Sequence, residues 1–367
     1  MTEPEPIWRA AIVGTGAIAH AHAEAIAAYP DAELVAVVDR DPEAAERFAE
    51  RYGVPVAYDD LAELLAGAQL DVVHICTPPG VHATQAIAAL EAGVHVVVEK
   101  PPARSLDELD AMLAAAERTG TQLAVVFQQR TGTAAAHVKR LLDEGELGRP
   151  LVATCQTLWY RDDAYFEVPW RGKWATEGGG PTLGHGIHQI DLLAWLLGSW
   201  SSVQGQLWRL GRETQTEDVS TAVVGFENGA VASVITSAVS PRETSSIRID
   251  TERATVTVDH LYGHAHEHWR ITPAPHVVAA EAGGWILPDR EEASGHPPLV
   301  RAVYDALRSG QDLPPVAADA ARSFEIVTAI YSSAATGRTV TPATLRDDAD
   351  RRAALESPVI ERRPGRA

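Results

Sequence analysis

The feature that most limits what this chain can fold into is a glycine-bearing turn set between an apolar run and a helical stretch. Ala10-Ala11-Ile12-Val13 leads into Gly14-Thr15-Gly16-Ala17-Ile18-Ala19, and a helical pattern continues to Tyr29. The next apolar run, Leu34-Val35-Ala36-Val37-Val38, ends on Asp39, about twenty residues beyond the turn. A G-x-G-x-x-A turn that follows a strand and opens a helix has the form of a dinucleotide phosphate loop. Gly14 permits the tight turn, and Gly16 lets backbone N–H groups approach a pyrophosphate at the helix N-terminus. Ala19 is small enough for close helix–strand packing, and Thr15, Ala17 and Ile18 complete the loop. Asp39 would accept hydrogen bonds from the adenosine ribose hydroxyls and repel a 2′-phosphate, which favours NAD. Arg40 beside it could pair with such a phosphate, so NADP stays the less favoured cofactor.

The alternation continues across the first third. Val72-Val73-His74-Ile75-Cys76 ends at Thr77-Pro78-Pro79, Val94 to Val98 ends at Glu99, and residues 123–127 close the set. Strands separated by helices predict right-handed βαβ units and a parallel sheet. Residues 1–127 therefore read as a Rossmann domain. From residue 128 the alternation stops. A helix is predicted over 133–144, then strands over 151–158, 203–208, 219–226, 230–239 and 246–258, with Asn228-Gly229 as a hairpin turn. One apolar helix, 187–197, interrupts them, and helices return near 299–308 and 317–335. Residues 128–345 read as an α+β domain with an open, largely antiparallel mixed sheet. Residues 346–367, charged and without periodicity, read as a loosely attached tail.

The net charge of −19 argues against nucleic acid or an anionic membrane as partner. Cys76 and Cys155 are the only cysteines, too isolated for a disulfide framework or thiolate metal site. No apolar run approaches the ~20 residues that span a bilayer, and the start lacks the pattern of a signal peptide. A soluble, cytoplasmic protein is expected.

Only three of the 31 basic residues are lysines: Lys100, Lys139 and Lys173. Lys139 reads as a helix-surface cation. Lys100 lies in Glu99-Lys100-Pro101, at the carboxyl end of a buried strand, the edge where open α/β sheets bind ligands. Unlike Arg, a buried Lys can exchange a proton with a substrate hydroxyl.

The glycine turn, Thr77-Pro78-Pro79 with His82, Glu99-Lys100-Pro101, and Gly178-Gly179-Gly180 through Gly186-Ile187-His188-Gln189-Ile190-Asp191 stand in an order that resembles the glucose–fructose oxidoreductase/inositol dehydrogenase/MocA family. The resemblance covers nearly the whole chain. It implies an NAD(P)-dependent oxidoreductase acting on a secondary hydroxyl of a sugar, sugar acid or cyclitol, its active site in a cleft between the domains. It also implies a homodimer or homotetramer built through the C-terminal sheet. Thr77, Pro78, His82, Glu99 and Lys100 would then meet the cofactor, and Gln128 the substrate. Two alternatives stay open: a glycosidase that uses transient NAD oxidation, and a regulator that binds dinucleotide and sugar without turnover.

Oxidation of a carbinol needs a cation that favours the alkoxide and a base for its proton. Lys100 is expected to supply the first and His188 the second, with Asp191 anchoring the helix that carries His188. Where family members commonly carry Asp or Asn, four residues before the histidine, this chain has Gly184 followed by His185. Either His185 takes over the substrate contact or the gap makes room for a larger substrate. Tyr160 and Arg161 are expected against the substrate, and Arg171 near substrate or cofactor phosphate. His264, His266 and His268 would share one face of a strand, but hydride transfer needs no metal and none is expected.

Overall fold

A computed structural model of the protein describes residues 7–314, 317–357 and 361–362. The chain forms two compact units. Of the described residues, the first takes in those through Ala103, then Asp107–Val126 and those of His296–Ala317; the second takes in Arg104–Leu106, Phe127–Gly295 and those from Ala318 onward.

In the first unit six strands, β1 (Trp8–Val13), β2 (Ala32–Val38), β3 (Val56–Tyr58), β4 (Val72–Ile75), β5 (His95–Val98) and β6 (Leu123–Val125), lie in the order 3-2-1-4-5-6. Every pairing is parallel. This is the doubly wound order, whose direction reverses between β1 and β4, so loops at the carboxyl ends of those strands diverge and leave a crevice. β3 is too short to have stood out from composition. Helix His296–Ser309 was expected in the second domain. It packs instead on helix Ala17–Ala27, placing Val300, Val303 and Tyr304 in one core with Ala19, Ala23 and Ile26. Tyr29 stacks on Tyr304 with ring centroids 5.2 Å apart and donates to Asp305 at 2.8 Å. An amphipathic helix docks wherever its apolar face is matched, and sequence distance gives no hint of that.

In the second unit β7 (Pro150–Tyr160), β8 (Trp200–Arg209), β9 (Val219–Phe226), β10 (Val231–Ser237), β11 (Val239–Thr251), β12 (Ala254–Asp259), β13 (Trp269–Pro273) and β14 (Glu361–Arg362) form one mixed sheet. The order is 13-12-11-7-10-9-8-14. β10 with β7 and β14 with β8 are parallel; the other pairs are antiparallel. The Asn228-Gly229 hairpin joins β9 to β10, Gly229 taking φ +88°. The single run expected over 246–258 is two antiparallel strands, since the chain turns at Glu252 and Arg253.

The tail is better anchored than its composition suggested. Asp348 accepts from Arg351 N at 3.1 Å and starts helix Ala349–Ala353, and Leu355 is buried. Residues 358–360 and 363–367 of the expected tail lie outside the described residues. Among the described residues no helix is long and apolar enough to cross a membrane.

Candidate active site

In the first unit the glycine turn is fixed by backbone geometry. Gly14 has φ +89°, and a Cβ there would lie 2.8 Å from Thr77 Cγ2, so only glycine fits. Gly16 caps helix Ala17–Ala27 without a side-chain hydrogen bond, and a Cβ on it would meet nothing within 4 Å. The turn thus leaves room beside the positive end of the helix, where a phosphate binds well. Ala19 is fully buried and Ile18 partly so. Asp39 ends β2 and clamps the turn: its Oδ2 accepts from Thr15 N at 2.8 Å and Thr15 Oγ1 at 2.9 Å. Its Oδ1 accepts from Asp41 N at 3.1 Å. Arg40 is exposed.

The ends of β4 and β5 are tied together. Buried His82 sets Nε2 2.6 Å from Thr77 O and Nδ1 2.9 Å from Pro101 O. Thr77 Oγ1 donates to Gln85 at 2.6 Å, and Pro78 caps the next helix, Pro79–Glu91. Glu99 is buried and accepts three hydrogen bonds. His22 Nε2 and His296 Nε2 donate to its Oε1 at 3.0 and 2.9 Å, and the Lys100 backbone N–H donates to its Oε2 at 3.1 Å. Behind His22, His74 Nδ1 lies 2.8 Å from His22 Nδ1, and the Tyr304 hydroxyl lies 3.0 Å from His74 Nε2. One tautomer set satisfies every group with neutral rings: Tyr304 donates to His74, His74 to His22, and His22 to Glu99.

Burial alone would raise the Glu99 carboxyl, but the His22 and His296 hydrogen bonds hold it well below the usual range. Burial pushes His22 down, with Glu99 opposing, and pushes His74 well down. Lys100 is half-buried, its backbone fixed by this ionised carboxylate. The ligand atoms of His22, Glu99 and His296 lie within 4.8 Å of one another, a set that could hold a divalent ion. Their present arrangement is a closed hydrogen-bond network.

None of these three histidines was singled out from sequence. His22 had a signal, since it shares a helical face with Ala19, Ala23 and Ile26. His74 interrupts an otherwise apolar strand. His296 had none, because its partner is fixed only by the folded chain.

In the second unit a π-helical turn, Thr182–Gly186, leads into helix Ile187–Leu197. A Cβ on Gly186 would run into Thr236 Oγ1, so glycine lets the turn press against β10. His188 is buried, edge-on to Tyr262 with centroids 5.4 Å apart at 89°, and 6.4 Å from the Trp159 ring. Gln128, buried, donates through Nε2 to the Tyr262 hydroxyl. His185 packs 4.8 Å from Trp159, its Nε2 3.0 Å from the Tyr165 hydroxyl. Asp191 is fully buried and accepts from Arg130 Nε at 2.7 Å and Ser323 Oγ at 2.6 Å. It ties its helix to Arg130, which also pairs with Asp319 at 2.9 Å.

Gly184 is the position where the Asp or Asn of the family pattern is missing. A Cβ there would lie 3.5 Å from Glu177 Oε1, an ordinary contact, so nothing in the packing demands glycine. A buried carboxylate therefore already stands beside the gap, supplied from seven positions earlier. Sequence reasoning passed over both Glu177 and Tyr262.

The residues of the aromatic-basic stretch occupy different settings. Arg161 Nη1 donates to Glu243 at 2.8 Å, and its guanidinium lies 4.7 Å from the Trp159 ring centroid. Tyr160 is exposed, with Arg212 5.0 Å over its ring. Arg171 lies 3.6 Å over Tyr165 and lines a cavity of about 790 Å³. The three alternating histidines do not share a strand face. His264 is buried and pushed down to about 4 by burial, while His266–His268 forms a 3-10 turn. His268 stacks on His260 at 3.8 Å, and His266 Nε2 lies 2.7 Å from Thr133 Oγ1. β13 begins only at Trp269, because the Ala265 N–H turns back onto His268 Nδ1 at 2.9 Å.

Residues 8–127 match the family described as "Oxidoreductase family, NAD-binding Rossmann fold", and residues 135–257 match the "GFO/IDH/MocA C-terminal domain". The chain belongs to the Gfo/Idh/MocA oxidoreductase family. Within that family it is 29% identical to the D-glucoside 3-dehydrogenase of Escherichia coli (strain K12) over 362 residues, covering 90% of this chain and 97% of the relative. It is 31% identical to the scyllo-inositol 2-dehydrogenase (NAD(+)) of Bacillus subtilis (strain 168) over 239 residues, covering 64% of this chain and 68% of that one. The crystal structure of the WlbA dehydrogenase from Bordetella pertussis, in complex with NADH and UDP-GlcNAcA, superposes with a TM-score of 0.82 at 29% identity. That match covers 92% of this chain and 98% of the WlbA chain. The glycine turn and Asp39 thus belong to an NAD-binding fold, and their geometry suits the dinucleotide.

Proposed function

We propose that this protein catalyses reversible oxidation of a secondary hydroxyl of a sugar, sugar acid or cyclitol with NAD(H). The observation that carries the reading is the buried Glu99, whose three hydrogen bonds fix the backbone of Lys100 at the strand end where an NAD-binding sheet meets its ligands. NAD, when bound, accepts the hydride that leaves the carbinol carbon. The hydroxyl must lose its proton at the same time. His188 takes that proton, and the Lys100 ammonium favours the alkoxide oxygen. Gln128 holds the Tyr262 ring against His188 and so keeps the imidazole in one orientation. Asp39, already oriented by Thr15, accepts from the ribose hydroxyls and sets the preference for NAD.

The relatives named for glucoside and inositol oxidation support the substrate class, and the WlbA complex argues for including charged, nucleotide-linked sugars. The test is a panel of sugars, uronates, inositols, glycosides and nucleotide sugars, followed for NADH at 340 nm with aglycone release measured in parallel. Net NADH formation without glycoside cleavage is expected. Cleavage without net NADH would replace this reading with the glycosidase one.

We also propose a homodimer or homotetramer through the second unit's sheet. Val152, Val223 and Val231 stand exposed on its neighbouring strands β7, β9 and β10, with Val231 paired to Val152. An exposed apolar sheet face favours self-association. Light scattering on the eluting peak should give two or four times the 39.3 kDa chain mass. Two buried free thiols, Cys76 and Cys155, fit the reducing cytoplasm.

A further inference from the structure

Two loops of the second unit gather four cations around one cavity. Arg171 and Lys173 flank Gly172, while Arg209 ends β8 and Arg212 lies in the loop that follows it. The cavity measures about 790 Å³, and Glu213 is its one acidic lining residue, a formal excess of three positive charges in a chain of net −19.

The loops are locked together. Gln215 N–H donates to Gly172 O at 2.8 Å. Gly172 has φ +66°, and a Cβ there would come 2.7 Å from Thr214 Cγ2, so only glycine allows the approach. Fully buried Asp218 accepts the backbone N–H groups of Leu210, Gly211 and Arg212 at 2.7, 2.6 and 2.8 Å. That clasp gives the loop its shape and presents the two arginines.

Local acids offset only part of this charge: buried Glu177 accepts from the Gly172 N–H and attracts Arg171. Arg212 pairs with Asp163 at 3.4 Å. Among the described residues Arg171, Lys173 and Arg209 form no ion pair; Lys173 donates to Pro169 O at 2.7 Å and Arg209 to Thr214 O. Arg171 Nε and Arg212 Nε are buried with no hydrogen-bond partner among the described residues. Crowded like charges with spare N–H donors disfavour the folded state unless an anion fills the space between them. Forked guanidinium groups suit phosphate oxygens in particular.

The cavity also adjoins the candidate histidines. Arg171 lies over the Tyr165 ring, and the Tyr165 hydroxyl lies 3.0 Å from His185 Nε2, three residues before His188. We propose that this cavity is an anion subsite, holding the phosphate of a phosphorylated or diphosphate-linked sugar while the carbinol lies at His188. The assignment rests on the oxidoreductase reading for its second half only.

Calorimetric titration of the NAD-loaded protein with inorganic pyrophosphate, orthophosphate and acetate tests it without any turnover. Saturable pyrophosphate binding is expected, at least about tenfold weaker in the Arg209→Gln/Arg212→Gln pair and within about threefold in the charge-keeping Arg209→Lys/Arg212→Lys pair, both variants retaining NAD affinity. Pyrophosphate bound more tightly than orthophosphate points to a diphosphate-linked sugar, and equal binding to a sugar monophosphate. Wild-type protein that binds neither at millimolar concentration, or a glutamine pair that binds as tightly as wild type, overturns the subsite. Oxidation of neutral sugars by a protein that binds no phosphate would remove the subsite and leave the oxidoreductase reading standing.

Discussion

His22 Nε2 donates to Glu99 Oε1 at 3.0 Å across 77 positions of sequence, and both side chains are buried. The pair couples the helix behind the glycine turn to the strand end that carries Lys100. Loss of the imidazole would leave a buried carboxylate short of a partner, so His22→Ala should lower turnover about tenfold or more, while His22→Gln, which keeps a donor, recovers part of it. NAD affinity within about threefold of wild type in both variants would separate positioning from unfolding. Full turnover in His22→Ala would show that the network does not act on Lys100.

The same cluster sets an acid sensitivity. His22 and His74 sit below the ordinary value of 6.5, and Glu99 well below 4.5. All three shifts are downward, so each group contributes its full stability above its unfolded value and loses it as pH falls toward the folded one. The window therefore opens at about pH 6.5 with the histidines and deepens near pH 4.5 with Glu99. Each group contributes at most about 1.4 kcal/mol per pH unit. Tm should fall between pH 7.5 and 5.5, and the fall should be smaller in His74→Gln. An unchanged difference would mean that His74 is not neutral in the fold.

Glu177 beside Gly184 makes a third prediction specific. An aspartate at position 184 would bring its carboxylate against Glu177 Oε1, and like charges in a buried site repel. Gly184→Asp should reduce kcat/KM by about tenfold or more, and Gly184→Asp with Glu177→Gln should regain most of it. A fully active Gly184→Asp variant would show that Glu177 has not filled the gap.

Asp39 holds the glycine turn through Thr15, and we propose that it also meets the cofactor ribose. NADH should bind at least about tenfold more tightly than NADPH, equivalent to ~1.4 kcal/mol, and Asp39→Ser should narrow that gap. Fluorescence titration with equal affinities in the wild type would instead give Arg40 control of the pocket.

Much of this was legible because it is local. Gly14 and Gly16 announce a backbone conformation, Asn228-Gly229 announces a hairpin, and Asp191 reads as the anchor of its helix, which it is through Arg130. What stayed hidden depends on partners brought from afar. His296 returns to the first unit on a helix whose apolar face fits Ala17–Ala27. Arg171 and Arg209 share a cavity only because Gly172 and Thr214 touch. The three alternating histidines misled because a period of two implies a strand only where the backbone is extended, and here it turns.

We propose that Lys100 takes part in the chemistry, and one comparison tests this most directly. Turnover of Lys100→Met should be measured on the substrate that wild type oxidises, beside Lys139→Met, whose lysine pairs with Asp143 on a helix surface. Lys100→Met should lose a factor on the order of 10² or more in kcat with NAD affinity nearly intact, and Lys139→Met should be silent. Normal turnover by Lys100→Met would contradict the account.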